Sequence, residues 1–269
     1  MSIISDNLIH FLARSNKENP LIQLEVCKQI FEQGLRTSAM QVKFPDGALF
    51  VFNQVICFTD IPLKECDDHT SIYGKFGIGF KKSFVKNSGG NPARYFVDYA
   101  TSNHNNERRG VPYWHLWDQF KFMMAIRNQL ANDSEFKLMN KDGEVVFTTE
   151  VLNQYVNSAI YAFSFDKEMG DLGPARDETK EIDLYYKERE WRLVPSTVDL
   201  QLGIVEGSSG VAHYKFNRSD VNMVVVPNED IRIKLLNYFL DIPNDSEERL
   251  VQFKENPLPI IHYDDLQKW

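Results

Sequence analysis

Apolar residues recur along the chain at two spacings, which predict alternating helices and strands. Residues 19–34 begin with Asn-Pro, carry apolar side chains at helical intervals and end at Gly34, so they predict a helix. The same interval predicts a long helix over 112–131, packed by one aromatic face, and a helix over 229–240 capped by Asn228. The Trp and Met side chains of the long helix are interpreted as core rather than as a cofactor site.

Shorter apolar runs predict strands. The predicted strands cover residues 8–12, 49–58, 75–82, 95–99, 159–165, 191–194 and 258–262, and residues 211–216 are predicted to pair with 223–226. The run 49–58 is typical of a strand buried on both faces, with a predicted break at Asn53-Gln54. Gly77 and Gly79 predict that another group lies close against their strand.

The order of these elements indicates one mixed domain. No internal repeat and no Pro, Gly or Ser linker divides the chain, which predicts a single α+β domain over residues 1–269 with a mixed or antiparallel sheet. Residues 166–183 form the most polar stretch and are predicted to be a long exposed loop, either merely solvated or a flap beside a site.

Charge and composition exclude several classes of protein. The formal net charge is −8, which repels phosphate backbones, and the doublets Lys81-Lys82 and Arg108-Arg109 lack interleaved aromatics, so we expect no direct nucleic-acid binding. No apolar run is long enough for a membrane span and no secretory signal is readable, so we expect a cytoplasmic protein that does not contact a membrane. Three cysteines without a C-x-x-C pair indicate reduced thiols.

Common catalytic motifs do not occur in the sequence. There is no G-x-S-x-G elbow, no G-x-G-x-x-G and no P-loop, which argues against the hydrolases and nucleotide-binding folds that carry them. Cys57, Cys66 and His69 could be metal ligands, but Cys66 and His69 form a single C-x-x-H pair without a second one. We therefore expect no metal ion.

The segment KEREWR at 187–192 has the most chemical content. On a strand, Glu188, Glu190 and Arg192 share one face, where the Arg192 guanidinium could relieve the repulsion between the two carboxylates. A fixed carboxylate of this kind suits chemistry in which positive charge develops on a sugar carbon. The alternative is a surface strand held by ion pairs.

Three stretches of the sequence together resemble a known family. They are NLIHF at 7–11 followed by IFEQGL at 30–35, the block 56–80 with ICFTDIPL, His69 and YGKFGIGF, and YKEREWRLVP at 186–195. In this combination the chain resembles the AbiGi family of abortive-infection (phage-resistance) proteins. The resemblance implies an antitoxin component of a two-gene defence module, whose protein partner is a nucleotidyltransferase-like toxin.

A looser likeness relates the chain to ADP-ribosyltransferase-like domains. It implies mixed or antiparallel sheets around a central cleft with flanking helices, and NAD as a substrate. The roles it implies are a catalytic carboxylate at Glu190 with Glu188 as its companion, a ribose contact at His10, a pocket strand at Thr59, a ring at Tyr73 that stacks on nicotinamide, and a further NAD-binding side chain at Arg192.

Two principal functions follow from these resemblances. The first is an anti-phage enzyme that transfers ADP-ribose from NAD to a target or hydrolyses NAD. The second is a non-catalytic antitoxin that neutralises its toxin partner, with the net charge of −8 steering it to a basic surface. A third alternative is a transferase-like fold that only binds nucleotide.

Overall fold

The computed structural model describes residues 6–12, 14–43, 48–96, 112–130, 136–168, 189–196, 199, 201–206 and 212–266. The chain forms two compact units. Unit 1 comprises Met1–Met40, Asn53–Ala93 and Asp183–Trp269, and unit 2 comprises Gln41–Phe52 and Arg94–Ile182. The single domain expected from the sequence stays a prediction.

The described residues form helices and strands in alternation. The helices are α1 (Pro20–Gln33), α2 (Asp67–Tyr73), α3 (Lys82–Asn87), α4 (Pro112–Gln129), α5 (Thr149–Phe163), α6 (Glu229–Leu240), α7 (Glu248–Glu255) and α8 (Tyr263–Leu266). The strands are β1 (Asn7–Phe11), β2 (Leu35–Arg36), β3 (Ser38–Lys43), β4 (Leu49–Thr59), β5 (Gly77–Lys81), β6 (Asn91–Pro92), β7 (Arg94–Phe96), β8 (Lys137–Met139), β9 (Val145–Thr148), β10 (Asp166–Glu168), β11 (Glu190–Leu193), β12 (Val205–Glu206), β13 (His213–Tyr214), β14 (Val221–Val226) and β15 (Ile260–His262).

Unit 1 contains the main sheet, whose strand order is β15-β14-β5-β1-β4-β11-β6, with β3 also paired to β4. The β14–β15 pair is parallel, and the pairs from β14 through β5, β1, β4 and β11 to β6 are antiparallel. A second, three-stranded sheet joins β12, β13 and β2. The predicted mixed α+β class is therefore confirmed.

The core of unit 1 combines aliphatic side chains with a cluster of aromatic rings. Phe31 of α1 meets Phe216, Phe239 and Phe253 edge to face, with ring centroids 4.9 to 6.0 Å apart. Two of the helices that supply these rings begin at local signals, since Asn19 caps α1 and Asn228 caps α6 through side-chain oxygens that accept the amides of Ile22 and Ile231. Both helix predictions are confirmed.

The two glycines of β5 make room for side chains of neighbouring strands. A Cβ on Gly77 would lie 2.8 Å from Cγ2 of Ile9, and a Cβ on Gly79 would lie 2.8 Å from Cγ of Met223. The close approach predicted from these glycines is confirmed, and the approaching groups belong to β1 and β14 of the same sheet.

Unit 2 is built from α4, α5 and two small sheets. Strand β7 pairs in parallel with β10, and β8 pairs antiparallel with β9. Trp117 and Phe120 of α4 pack with Phe163 of α5 and with Phe50 of β4, with ring centroids 5.0 to 6.2 Å apart. The long helix is confirmed and its Trp117 is core, although Leu116 of the same helix is exposed.

Several sequence predictions of local structure were wrong. Residues 159–165 are not a strand, because α5 starts at the Thr148 cap and runs through this apolar stretch to Phe163. Strand β4 is continuous through Asn53-Gln54, and its first half carries exposed side chains on Leu49 and Val51. Strands β13 and β14 do not pair with each other, since β13 lies between β12 and β2.

Two further predictions concern the polar segment and the membrane. The loop predicted at 166–183 begins with strand β10, and the rest of it lies outside the described residues. Among the helices of the described ranges, none has both the length and the hydropathy needed to cross a bilayer.

Candidate functional site

The pairing of β11 with β4 places four polar side chains on one face of the main sheet. Glu190 is the ladder partner of Thr59, and Arg192 is the ladder partner of Cys57. Antiparallel partners project to the same side of a sheet, and residues two apart along a strand share that side. Sequence period and register together therefore bring Thr59, Cys57, Glu190 and Arg192 side by side.

Glu190 and Arg192 form a largely buried ion pair. The Nε of Arg192 donates to Oε1 of Glu190 at 2.7 Å, and the side chains retain 4% (Arg192) and 13% (Glu190) of their exposure. The Cys57 thiol donates to the same oxygen at 3.5 Å. The cation predicted to relieve the carboxylate is thus confirmed for Glu190, whereas Glu188 lies outside the described residues.

His10 has a different environment from Glu190. Its Nδ1 lies 2.8 Å from the carbonyl oxygen of Cys57, and because a carbonyl only accepts, Nδ1 carries the proton. Ile9 is the ladder partner of Thr59, so the next residue, His10, projects from the opposite face of β1, where its ring lies 5.7 Å from that of Phe58. Burial lowers the pKa of His10 below its ordinary value, although the bond to Cys57 opposes this shift.

Tyr73 lies at the end of α2 in a stack of planar groups. Its ring stacks on His69 with centroids 4.3 Å apart, and the Arg14 guanidinium lies over it at 5.1 Å. The His69 ring in turn lies 4.8 Å from Phe11 of β1. Tyr73 therefore helps to hold α2 against the first strand.

A second ion pair supports the start of β11. Lys82 donates to Asp60, directly after β4, and its ammonium lies 5.1 Å from the centre of the Trp191 ring. The Asp60 amide donates to the carbonyl oxygen of Arg189 at 3.1 Å, and Arg189 has a positive φ of 41°. The TDIP segment thus fixes the turn of the chain into the strand that carries Glu190.

The structure brings together only part of the predicted NAD site. Thr59, Glu190 and Arg192 share one face of neighbouring strands, whereas His10 projects from the other face. Tyr73 is engaged with protein side chains in its stack. These contacts explain each residue as part of the fold, and binding of NAD by them stays a prediction.

The sequence reasoning missed an exposed apolar surface in unit 2. We call it the hairpin–helix surface, and it consists of Leu138, Met139, Val145, Val146, Val151 and Tyr155, each 44 to 57% exposed. A signal for it existed, because the turn residues Asn140 to Gly143 separate two apolar runs, which is the pattern of a β-hairpin.

The comparison with known proteins identifies a family that matches this chain. Residues 52–232 match the family described as "Putative abortive phage resistance protein AbiGi, antitoxin". No curated protein and no solved structure matches the chain. Within the described ranges, no group of three or more His, Cys, Asp and Glu side chains is arranged to hold a metal ion.

Proposed function

Because the chain belongs to the AbiGi family of abortive phage resistance antitoxins, we propose that it neutralises a protein toxin by binding it. The family description supports an anti-phage role and a toxin partner. Binding alone is sufficient for this function, so no side chain of the molecule needs to perform catalysis. The net charge of −8 supports a basic partner, since opposite charge accelerates association.

The structural observation that carries the proposal is that the Glu190 carboxylate is engaged in contacts within the fold. Its carboxylate accepts hydrogen bonds from Arg192 of the same strand and from Cys57 of β4, so it fastens β11 to its neighbour. Ribosyl transfer needs a carboxylate whose charge stabilises a cation that develops on the substrate. Here the adjacent guanidinium already compensates that charge, which favours a structural role.

Coexpression tests the proposal directly. The probe is a nucleotidyltransferase-like toxin encoded beside the gene of this chain, induced in cells with and without the chain. We expect the toxin to arrest growth, the chain to restore it, and the two proteins to copurify. Growth arrest that continues despite ample folded antitoxin, or toxicity of the chain alone, would overturn the proposal.

Glu190→Gln separates the proposal from the enzymatic alternative. The substitution is nearly isosteric and removes the charge that chemistry would need. A binding antitoxin with this variant should still rescue growth, provided that circular dichroism shows a native fold. Loss of rescue by a folded Glu190→Gln protein would favour catalysis.

The ADP-ribosyltransferase function is the second candidate, and one observation favours it. Thr59 and Glu190 are ladder partners on adjacent strands, with Arg192 on the same face, which is compatible with the roles that the resemblance implies for them. Its test is release of nicotinamide from NAD by the purified chain, with and without the toxin. Turnover that disappears in Glu190→Gln would support it, and equal rates in both proteins would exclude Glu190 as the catalytic carboxylate.

A further inference from the structure

We infer that the hairpin–helix surface of unit 2 is where the chain binds its toxin, through a partner surface that is uncharged at its centre and basic around it. This inference rests on the proposed function and adds to it the place of contact and the chemistry of the partner. Two independent features of unit 2 support it, the apolar hairpin β8–β9 and the part of α5 from Val151 onward, which carries no charged residue.

The hairpin exposes apolar side chains on both of its faces. Leu138 and Met139 are consecutive residues of β8, so they project to opposite sides, and they are 54% and 57% exposed. Val145 and Val146 of β9 are half-exposed as well. A two-stranded sheet in water normally keeps at least one polar face, so this hairpin has the composition of a segment that a partner covers.

The turn of the hairpin is nevertheless closed by several hydrogen bonds. Asn140 exchanges backbone hydrogen bonds with Glu144 and Gly143, and its side-chain oxygen accepts the amides of Asp142 and Glu144 at 2.9 to 3.0 Å. Gly143 supplies the positive φ of 79° that this turn requires. Its apolar side chains are therefore presented without much ordering on binding, which favours affinity.

The helix that follows continues the same surface. Thr148 ends β9, and its hydroxyl accepts the Val151 amide at 3.2 Å to cap α5, so hairpin and helix are joined without a loop. From Val151 to the end of α5 the sequence contains no charged residue, although Val151 and Tyr155 are exposed. Exposed helix faces usually carry charged residues, whereas the centres of protein interfaces are depleted of charge and enriched in Tyr and Met.

Charge indicates which partner covers this surface. A second copy of the chain would bring another net charge of −8, and the repulsion would oppose association. The exposed charged side chains around the apolar residues are Lys137, Lys141, Asp142, Glu144 and Glu150, so the rim is acidic by one charge and a partner with a basic excess at its rim would complement it. A basic toxin with an apolar contact patch fits both features.

Charge-introducing variants test the surface. Leu138→Glu, Val146→Glu and Tyr155→Glu each place a carboxylate within the hairpin–helix surface, and Tyr155→Glu acts independently of hairpin folding. The matched control is Ile233→Glu on α6 of unit 1, which is 48% exposed and outside the surface. Affinity for an inactive form of the neighbouring toxin is measured by titration calorimetry, after circular dichroism has verified the fold of each variant.

We expect each surface variant to bind the toxin at least about 30-fold more weakly than the parent, and Ile233→Glu to bind within about twofold of it. If the parent binds and folded surface variants bind equally well, the surface is wrong while the proposed function stands. If the parent does not bind the toxin, both fail. If the chain dimerises through the surface and the variants lose only that dimer, a second copy is the occupant and the inference is overturned.

Discussion

Most large apolar side chains of unit 1 pack into one cluster, and a few on α1 and α6 are exposed, whereas unit 2 exposes more of them, on β4, on a hairpin and on two helices. The ring of Phe31 in α1 is fully buried among three other rings, while Phe122 of α4 is 65% exposed. Exposed apolar area of this extent reduces solubility unless a partner covers it. We therefore expect unit 1 to contribute most of the stability of the fold, while the inference above assigns the toxin contact to unit 2.

The largest effect should come from removing a ring of the unit 1 core. Phe31→Ala is expected to lower the free energy of unfolding by about 3–5 kcal/mol, because it removes buried area and leaves a cavity among Phe216, Phe239 and Phe253. The control Phe122→Ala in unit 2 should change it by less than about 0.5 kcal/mol. Urea unfolding followed by circular dichroism measures both, and similar losses in the two variants would contradict the comparison.

Breaking the ion pair of β11 should have the next largest effect. Arg192→Met removes the guanidinium from a largely buried Glu190, so we expect a loss of about 3 kcal/mol in the free energy of unfolding. The double variant Glu190→Gln, Arg192→Met should recover part of it, because the uncompensated charge is then gone. No recovery in the double variant would show that the loss reflects packing of Arg192 rather than the ion pair.

The matched control lies in unit 2. Lys121 of α4 is 3.1 Å from Asp118, and both side chains are about 40% exposed. Lys121→Met should cost less than about 1 kcal/mol, since solvent screens an exposed pair. A larger cost for Lys121→Met than for Arg192→Met would break the assignment of stability to unit 1.

A methyl group added at Gly79 tests how closely the side chain of Met223 approaches β5. Gly79→Ala places a Cβ 2.8 Å from Met223 and should cost about 1–3 kcal/mol in the free energy of unfolding. In combination with Met223→Ala the clash disappears, so the two changes should be non-additive by at least about 0.5 kcal/mol. Strict additivity, measured by urea unfolding of the single and double variants, would contradict the close approach.

Gly143 of the hairpin gives the matched comparison in unit 2. A Cβ there meets no atom within 4 Å, but the positive φ of 79° makes any other residue strained. Gly143→Ala should therefore cost about 1–2 kcal/mol through the backbone alone. The same cost should be found with Met223→Ala present, and coupling between these two positions would contradict the backbone explanation.

Local signals made part of the fold predictable. Helices α1 and α6 follow from their Asn caps and apolar spacing, and Gly34 ends α1 with a positive φ of 106°. The strand predicted at 159–165 was wrong because a short apolar run is compatible with either a strand or a buried helix. In the structure, Thr148 caps a helix that extends into residues 159–165.

In the candidate site too, only contacts between residues close in sequence could be predicted. Glu190 and Arg192 lie two residues apart on a strand, so their pairing could be predicted from period alone. The contact of His10 with the Cys57 carbonyl joins residues 47 positions apart and depends on how β1 and β4 lie in the sheet, which no local pattern contains. The turn sequence of the hairpin predicts two paired strands, but it does not show that their apolar side chains are exposed.

The smallest expected effect is a dependence of stability on pH that originates in unit 1. Burial lowers the pKa of His10 in the folded protein, so below about pH 6.5 the unfolded chain binds a proton that the folded chain does not. Stability is therefore complete above that pH and falls by up to about 1.4 kcal/mol per pH unit as the pH decreases toward the folded pKa.

His10→Gln should reduce this slope, because Gln does not titrate while its amide can still donate to the Cys57 carbonyl. The control His115→Gln removes an exposed side chain of α4 in unit 2. Urea unfolding between pH 5 and 8 measures the three proteins. If the dependence of the free energy of unfolding on pH is unchanged in His10→Gln, this imidazole is not held neutral by the fold. The pH dependence would then not originate in His10.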